Sequence, residues 1–170
     1  MDETAIIKAI AGAGLTIDMV PDTCKISSVQ DLLDPAKWNL IKTKTAAAAL
    51  PLCRICGASG GTKPAECAEI WRFDENKLII TLAGFQTLCR ACFRVRALTH
   101  GSDERKVKFA VFHLVKINGW SKELAQFYVN VCFRVWETRS MSEWKMELTY
   151  LRRNFKSVGE EKFQESRKSV

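Results

Sequence analysis

Apolar and polar positions follow two periods along this chain, and the switches between them mark its elements. Residues 4–20 are weakly amphipathic, with Ile6, Ile7 and Ile10 near one helical face, while Gly12 and Gly14 oppose a long helix. Pro21 breaks the pattern, and residues 23–29 read as a short strand or extended segment. Asp34-Pro35 has the form of an N-cap followed by proline at the first helical position. A helix is predicted from there to about Ala48, with Trp38 and Ile41 inward and Pro51 as its stop.

The period then shortens to two. Residues 66–73 and 77–82 are apolar, β-branched or aromatic runs on either side of the polar turn Asp74-Glu75-Asn76, which predicts a hairpin. A short helix is expected from Cys92, carrying Val95 and Leu98. A longer one from Asp103 to about Ile117 places Val107, Ala110, Val111 and Leu114 on one face, and Asn118-Gly119 closes it. Ser121 caps a further helix to about Arg139, whose stripe of Leu124, Tyr128, Val131, Val135 and Trp136 reads as core. Ser140 to Glu143 has a capping-box pattern, but Trp144, Met146, Leu148 and Tyr150 alternate with polar residues, which favours a strand paired with residues 23–29. The expected organisation is an N-terminal extension (1–21), one α+β domain (22–151) and a basic tail (152–170).

Two cysteine pairs, Cys53-Arg-Ile-Cys56 and Cys89-Arg-Ala-Cys92, interrupt these elements. Each has ligand spacing, and together they supply the four thiolates of a tetrahedral structural zinc. The 32 residues between the pairs suffice for a loop and the hairpin, so one ion is expected per chain, with Cys53, Cys56, Cys89 and Cys92 as ligands. Disulfides or ordinary buried thiols are the alternatives. Disulfides need an oxidising compartment, whereas Met1-Asp2-Glu3 lacks a secretory leader's basic stretch and apolar run, and seven cysteines cannot all pair. A cytoplasmic setting is expected. Cys24, Cys67 and Cys132 read as small buried apolar residues. The loop Gly57 to Gly61 lacks the Lys-Ser/Thr ending of a phosphate-binding loop and reads as a connection.

An apolar content of 47% supports a real core in 170 residues, and no stretch is long enough to span a bilayer. The net charge of +7 is uneven: residues 53–109 carry +4 and residues 152–170 carry +3. Clustered positive charge attracts phosphate backbones by counterion release, although a solvated basic surface serves solubility equally.

The order of elements, with Glu66-Cys-Ala-Glu-Ile-Trp71 on the hairpin and Leu88-Cys-Arg-Ala-Cys-Phe-Arg-Val-Arg96 after it, resembles the zinc-containing HNH endonucleases, in particular a bacterial and phage subgroup. That subgroup carries Glu-Cys-His-Glu-Val-Trp and Leu-Cys-x-x-Cys-His-x-Val-Lys-His. His113-Leu-Val-Lys-Ile-Asn-Gly-Trp120 and the stretch from Glu143-Trp144 to Leu151 are similar as well, so the resemblance covers roughly residues 22–151. It implies a zinc-braced ββα core with flanking helices and a short strand pair.

The departures fall on the chemistry. HNH cleavage needs a hairpin histidine as general base and helix side chains to hold a metal at the scissile phosphate. The general-base position is Ala68, and the two helix histidines fall on Phe93 and Ala97. Glu66 and Glu69 remain, but two hairpin carboxylates without a helix partner read as surface groups. His100 could restore one ligand only if the helix continued, and His113 reads as a partly buried structural residue. The expectation is a non-enzyme: an HNH-like scaffold that binds nucleic acid or a nucleoprotein through Arg72, Arg90, Arg94, Arg96, Arg105, Lys106 and Lys108. The alternative is a protein-interaction module, for which Phe93 and Ala97 make the old cleft apolar. An active nuclease ranks last.

Overall fold

The computed structural model describes residues 10–24, 28–48, 52–59 and 65–155. Ile6, Ile7, Gly60, Gly61 and the tail from residue 156 lie outside the described residues. The element order is α1 (Pro35–Ala48), β1 (Glu66–Asp74), β2 (Ile79–Leu88), α2 (Arg90–Arg96), α3 (Glu104–Asn118), α4 (Lys122–Ser140), β3 (Lys145–Glu147) and α5 (Thr149–Asn154). Three strands form one mixed sheet in the order β1-β2-β3.

Local chemistry explains most boundaries. Asp34 Oδ1 accepts from the Lys37 amide at 2.9 Å and Ser121 Oγ from Leu124 at 3.2 Å, the caps expected, and Asp103 Oδ1 caps α3 in the same way by accepting from Lys106 at 3.0 Å. Gly119 ends α3 in the left-handed conformation, with φ at 68° and its amide donating to the Val115 carbonyl. The hairpin is antiparallel from Glu66 opposite Leu88 to Asp74 opposite Ile79, with a register shift between Ile70 and Trp71. Strand β2 is longer than its predicted end at Leu82. It continues past Gly84, which lies beneath Tyr150, to Leu88.

The hairpin separates two cores. On one side Ala68 and Leu88 join Leu15, Ile17, Met19, Cys92, Val95, Leu98 and the inward faces of α3 and α4. On the other, Leu82 packs with Val29, Trp38, Ile41, Leu148, Leu151 and Phe155. Leu15, Ile17 and Met19, which fall in the predicted N-terminal extension, are therefore core residues. The Asn118 side chain brackets Leu15 with two 2.9 Å hydrogen bonds, and the Ile17 amide donates to the Tyr128 hydroxyl at 3.1 Å.

Two expectations fail. Residues 23–29 form no strand in their described part: Asp22–Cys24 and Val29–Leu32 are 3-10 turns, and residues 25–27 lie outside the described residues. The Glu69 carboxylate fixes the second turn instead, accepting from Ser28 Oγ at 2.7 Å and from the Val29 amide at 2.9 Å. The strand read over Trp144 to Tyr150 is only Lys145–Glu147, and it pairs in parallel with Ile79–Thr81. The side-chain alternation holds through Leu148, after which α5 begins and carries Leu151 into the second core.

Candidate metal centre

The first cysteine pair is a tight turn. The Gly57 amide donates to the Cys53 carbonyl and the Cys53 amide to the Ala58 carbonyl, both at 2.9 Å, and Gly57 adopts a φ of 69°. The Arg54 amide donates to the Thr87 carbonyl at 3.0 Å. That bond pins the turn to the end of β2, immediately before Cys89. The second pair is fused to a helix, with Cys89 as the N-cap residue of α2 and Cys92 in its first turn. The helix therefore starts two residues before its predicted position, and Leu98 lies beyond its end yet is buried.

These contacts bring all four sulfurs within 4.8 Å of one another, with Cys56 and Cys89 at 3.7 Å. Zn–S bonds of about 2.3 Å in a tetrahedron place neighbouring sulfurs roughly 3.8 Å apart, so the donor set fits a structural metal such as zinc. Cys53 and Cys92 are buried and the other two half-buried. Electrostatics point the same way. Desolvation pushes the Cys53 thiol up, but amides of Cys56, Cys89 and Ile55 outweigh it and bring the group down to about 7. Burial raises Cys92 strongly, and the neighbouring Cys53 and Cys89 sulfurs raise it further. Burial also raises Cys56. Four thiolates packed this closely repel one another, and a bound cation reverses that penalty.

A residue that spacing did not reveal also touches the site. His113, on α3 and 8% exposed, places Nε2 3.3 Å from Cys92 Sγ. It lies 21 residues from that cysteine on another element, so only the packing of α3 against α2 exposes the relation.

The basic candidates scatter. Arg90 and Arg94 are exposed one turn apart on α2, and Arg94 sits over the Phe109 ring at 5.9 Å. Arg54, overlooked as a candidate, is exposed on the first cysteine turn. Arg96 is ion-paired: its guanidinium holds Asp18 through Nε at 2.9 Å and Nη2 at 2.6 Å, with only 13% of the side chain exposed. The Asp18 amide also donates to the Arg96 carbonyl at 3.0 Å. Lys106 and Lys108 pair with Asp103 and Glu104 on the surface of α3, and Arg105 is exposed between them. Arg72 is exposed opposite Thr81, near the turn of the hairpin and away from the cysteine end.

Ala68 is 3% exposed in the first core, and Glu69 is occupied by Ser28 and Val29. Helix α2 stops at Arg96, so His100 does not join the hairpin. It stacks on Trp136 with centroids 4.9 Å apart and meets Glu137 at 3.1 Å. Among the described residues, the four cysteines are the one cluster of three or more groups fit to hold a metal ion. No helix among them is long and apolar enough to cross a membrane.

The fold and site define a mixed α+β protein with a cluster of four cysteines fit to hold a metal ion, where the first cysteine turn meets the start of α2. No protein-family model, curated protein or solved structure matches the chain.

Proposed function

We propose that this chain is a nuclease-dead, HNH-like module, braced by one structural zinc, that binds nucleic acid on the face carrying α2 and the first cysteine turn. The observation that carries the binding reading is the exposed pair Arg90 and Arg94 on the helix that holds Cys92, with Arg54 exposed on the opposing turn. Guanidinium groups on rigid, metal-clamped elements make bidentate phosphate contacts at low entropic cost. The absence of catalysis is supported by the buried methyl of Ala68, where the resemblance requires a proton acceptor, and by the prior engagement of Glu69. Arg96 is not part of this surface, because Asp18 neutralises it.

Mobility shifts with a short duplex and a single strand test the reading. Each phosphate contact contributes roughly 0.9 to the slope of log affinity against log salt on duplex DNA. Reversing Arg90 and Arg94 to Glu is expected to flatten that slope by about two units and to weaken binding at least ten-fold. Unchanged affinity would remove the nucleic-acid reading, and magnesium-dependent cleavage above a mock preparation would remove the nuclease-dead one.

One observation favours a protein partner as second reading. Phe127 and Val135 on α4 are 42% and 37% exposed and line a shallow groove with Val131. Binding through that strip would be insensitive to salt, which separates it from phosphate contact.

A further inference from the structure

The four sulfurs have different surroundings: Cys56 and Cys89 are half-buried with their sulfurs 3.7 Å apart, whereas Cys53 and Cys92 are buried. Cys92 is the most buried of the four, and a side chain from another helix approaches it: His113 Nε2 at 3.3 Å. The imidazole is held in place. It stacks nearly parallel to Phe109, one turn earlier on α3, at 5.9 Å and 9°, and Arg94 lies over the same Phe109 ring. A metal-bound thiolate can only accept, so the nitrogen facing it must carry the proton.

We propose that His113 is a positioning residue of the metal centre: its Nε2–H donates to the Cys92 thiolate, draws charge from that sulfur and ties the ion to α3. It does not ligate. The inference rests on the four-thiolate site and is independent of nucleic-acid binding. Donors outside the ligand set orient a ligand, and losing one typically weakens metal retention by about 10–100-fold.

The test uses the full chain loaded with zinc, after metal analysis has shown one ion in the wild type. An empty wild type would defeat the four-thiolate reading and this inference with it. A loaded wild type leaves the two separable. His113→Phe keeps a ring against Phe109 and removes the donor, whereas His113→Gln keeps an N–H. Zinc transfer to a chromophoric chelator is expected to be about ten-fold faster for H113F and within about three-fold of wild type for H113Q. With cobalt in place of zinc, the sulfur-to-metal charge-transfer band of H113F is expected at lower energy, a change that lost packing alone would not produce. Equal release rates for H113F and wild type overturn the proposal, as does a loss in H113Q as large as in H113F. The wild type provides a check that needs no variant. Nitrogen-15 spectra of the zinc-loaded chain should show a protonated, slowly exchanging Nε2; an unprotonated or metal-bound Nε2 also overturns it.

Discussion

Replacing Arg96 with methionine separates a structural arginine from a binding one. The substitution removes the cation but keeps most of the aliphatic volume beside Asp18. In the native protein the Asp18 and Arg96 side chains are 23% and 13% exposed. Burial raises the Asp18 pKa more than the Arg96 guanidinium lowers it. Without that guanidinium the carboxylate stays desolvated and loses its partner. Breaking a fully buried pair costs about 3–5 kcal/mol, and a fully exposed one at most about 1 kcal/mol. The residual exposure of both groups places Arg96→Met near 3 kcal/mol, or roughly 6–12 °C of melting temperature for a chain of this size.

The sign with pH follows from the raised folded pKa. A carboxyl held above its unfolded value contributes most at pH below that value, and its contribution is lost as pH rises through the folded pKa. The deficit in R96M is therefore fully developed at neutral pH. Thermal unfolding at pH 7.5 with a fixed excess of zinc measures it, since metal binding itself shifts the midpoint. Adding Asp18→Asn removes the stranded charge and should recover more than half of the loss. A shift of less than about 2 °C, or no recovery in the double variant, would refute the reasoning. Nucleic-acid affinity of folded R96M should match the wild type.

Other outcomes are expected from the same geometry. Stripping the metal with a strong chelator should unfold the first core together with the cysteine turns, because structural zinc sites contribute on the order of 10 kcal/mol. Near-ultraviolet circular dichroism unchanged after complete metal removal would contradict that. Cys132 is buried and its thiol is pushed up to about 11, first by burial. It should resist alkylation at pH 8 in the metal-loaded protein and react once the chain is denatured. Peptide mapping that finds it modified under native conditions would displace it from the core.

The chain announces its helices and its cysteine cluster more clearly than its long-range pairings. Asp34, Asp103 and Ser121 cap the helices that follow them because capping is a contact between residues three apart. The two cysteine pairs are legible because each turn is local and the donor count is that of one ion. The pairing of β3 was not legible. Alternation identifies a strand without naming its neighbour, and the parallel match to Ile79–Thr81 depends on how α4 returns the chain to the hairpin. The turn at Ser28 escaped for a related reason, since its hydrogen-bond partner, Glu69, lies 41 residues away. Arg96 looked like its neighbours Arg90 and Arg94 in the sequence. Only the folded position of Asp18, 78 residues earlier, distinguishes it. His113 belongs to the same group, as its role is set by the approach of one helix to another.

The segment Leu15 to Met19 has a consequence for how this protein is made. Its hydrogen-bonding partners Asn118, Tyr128 and Arg139 follow it by 103, 111 and 120 residues. On a ribosome that adds about 5–20 residues per second, the segment emerges early and waits many seconds for those partners. Through that interval Leu15, Ile17 and Met19 present apolar side chains without their final cover. The nascent chain is therefore most exposed to chaperones and to misassembly before α4 appears, and α3 and α4 complete a core whose first residues were synthesised long before them.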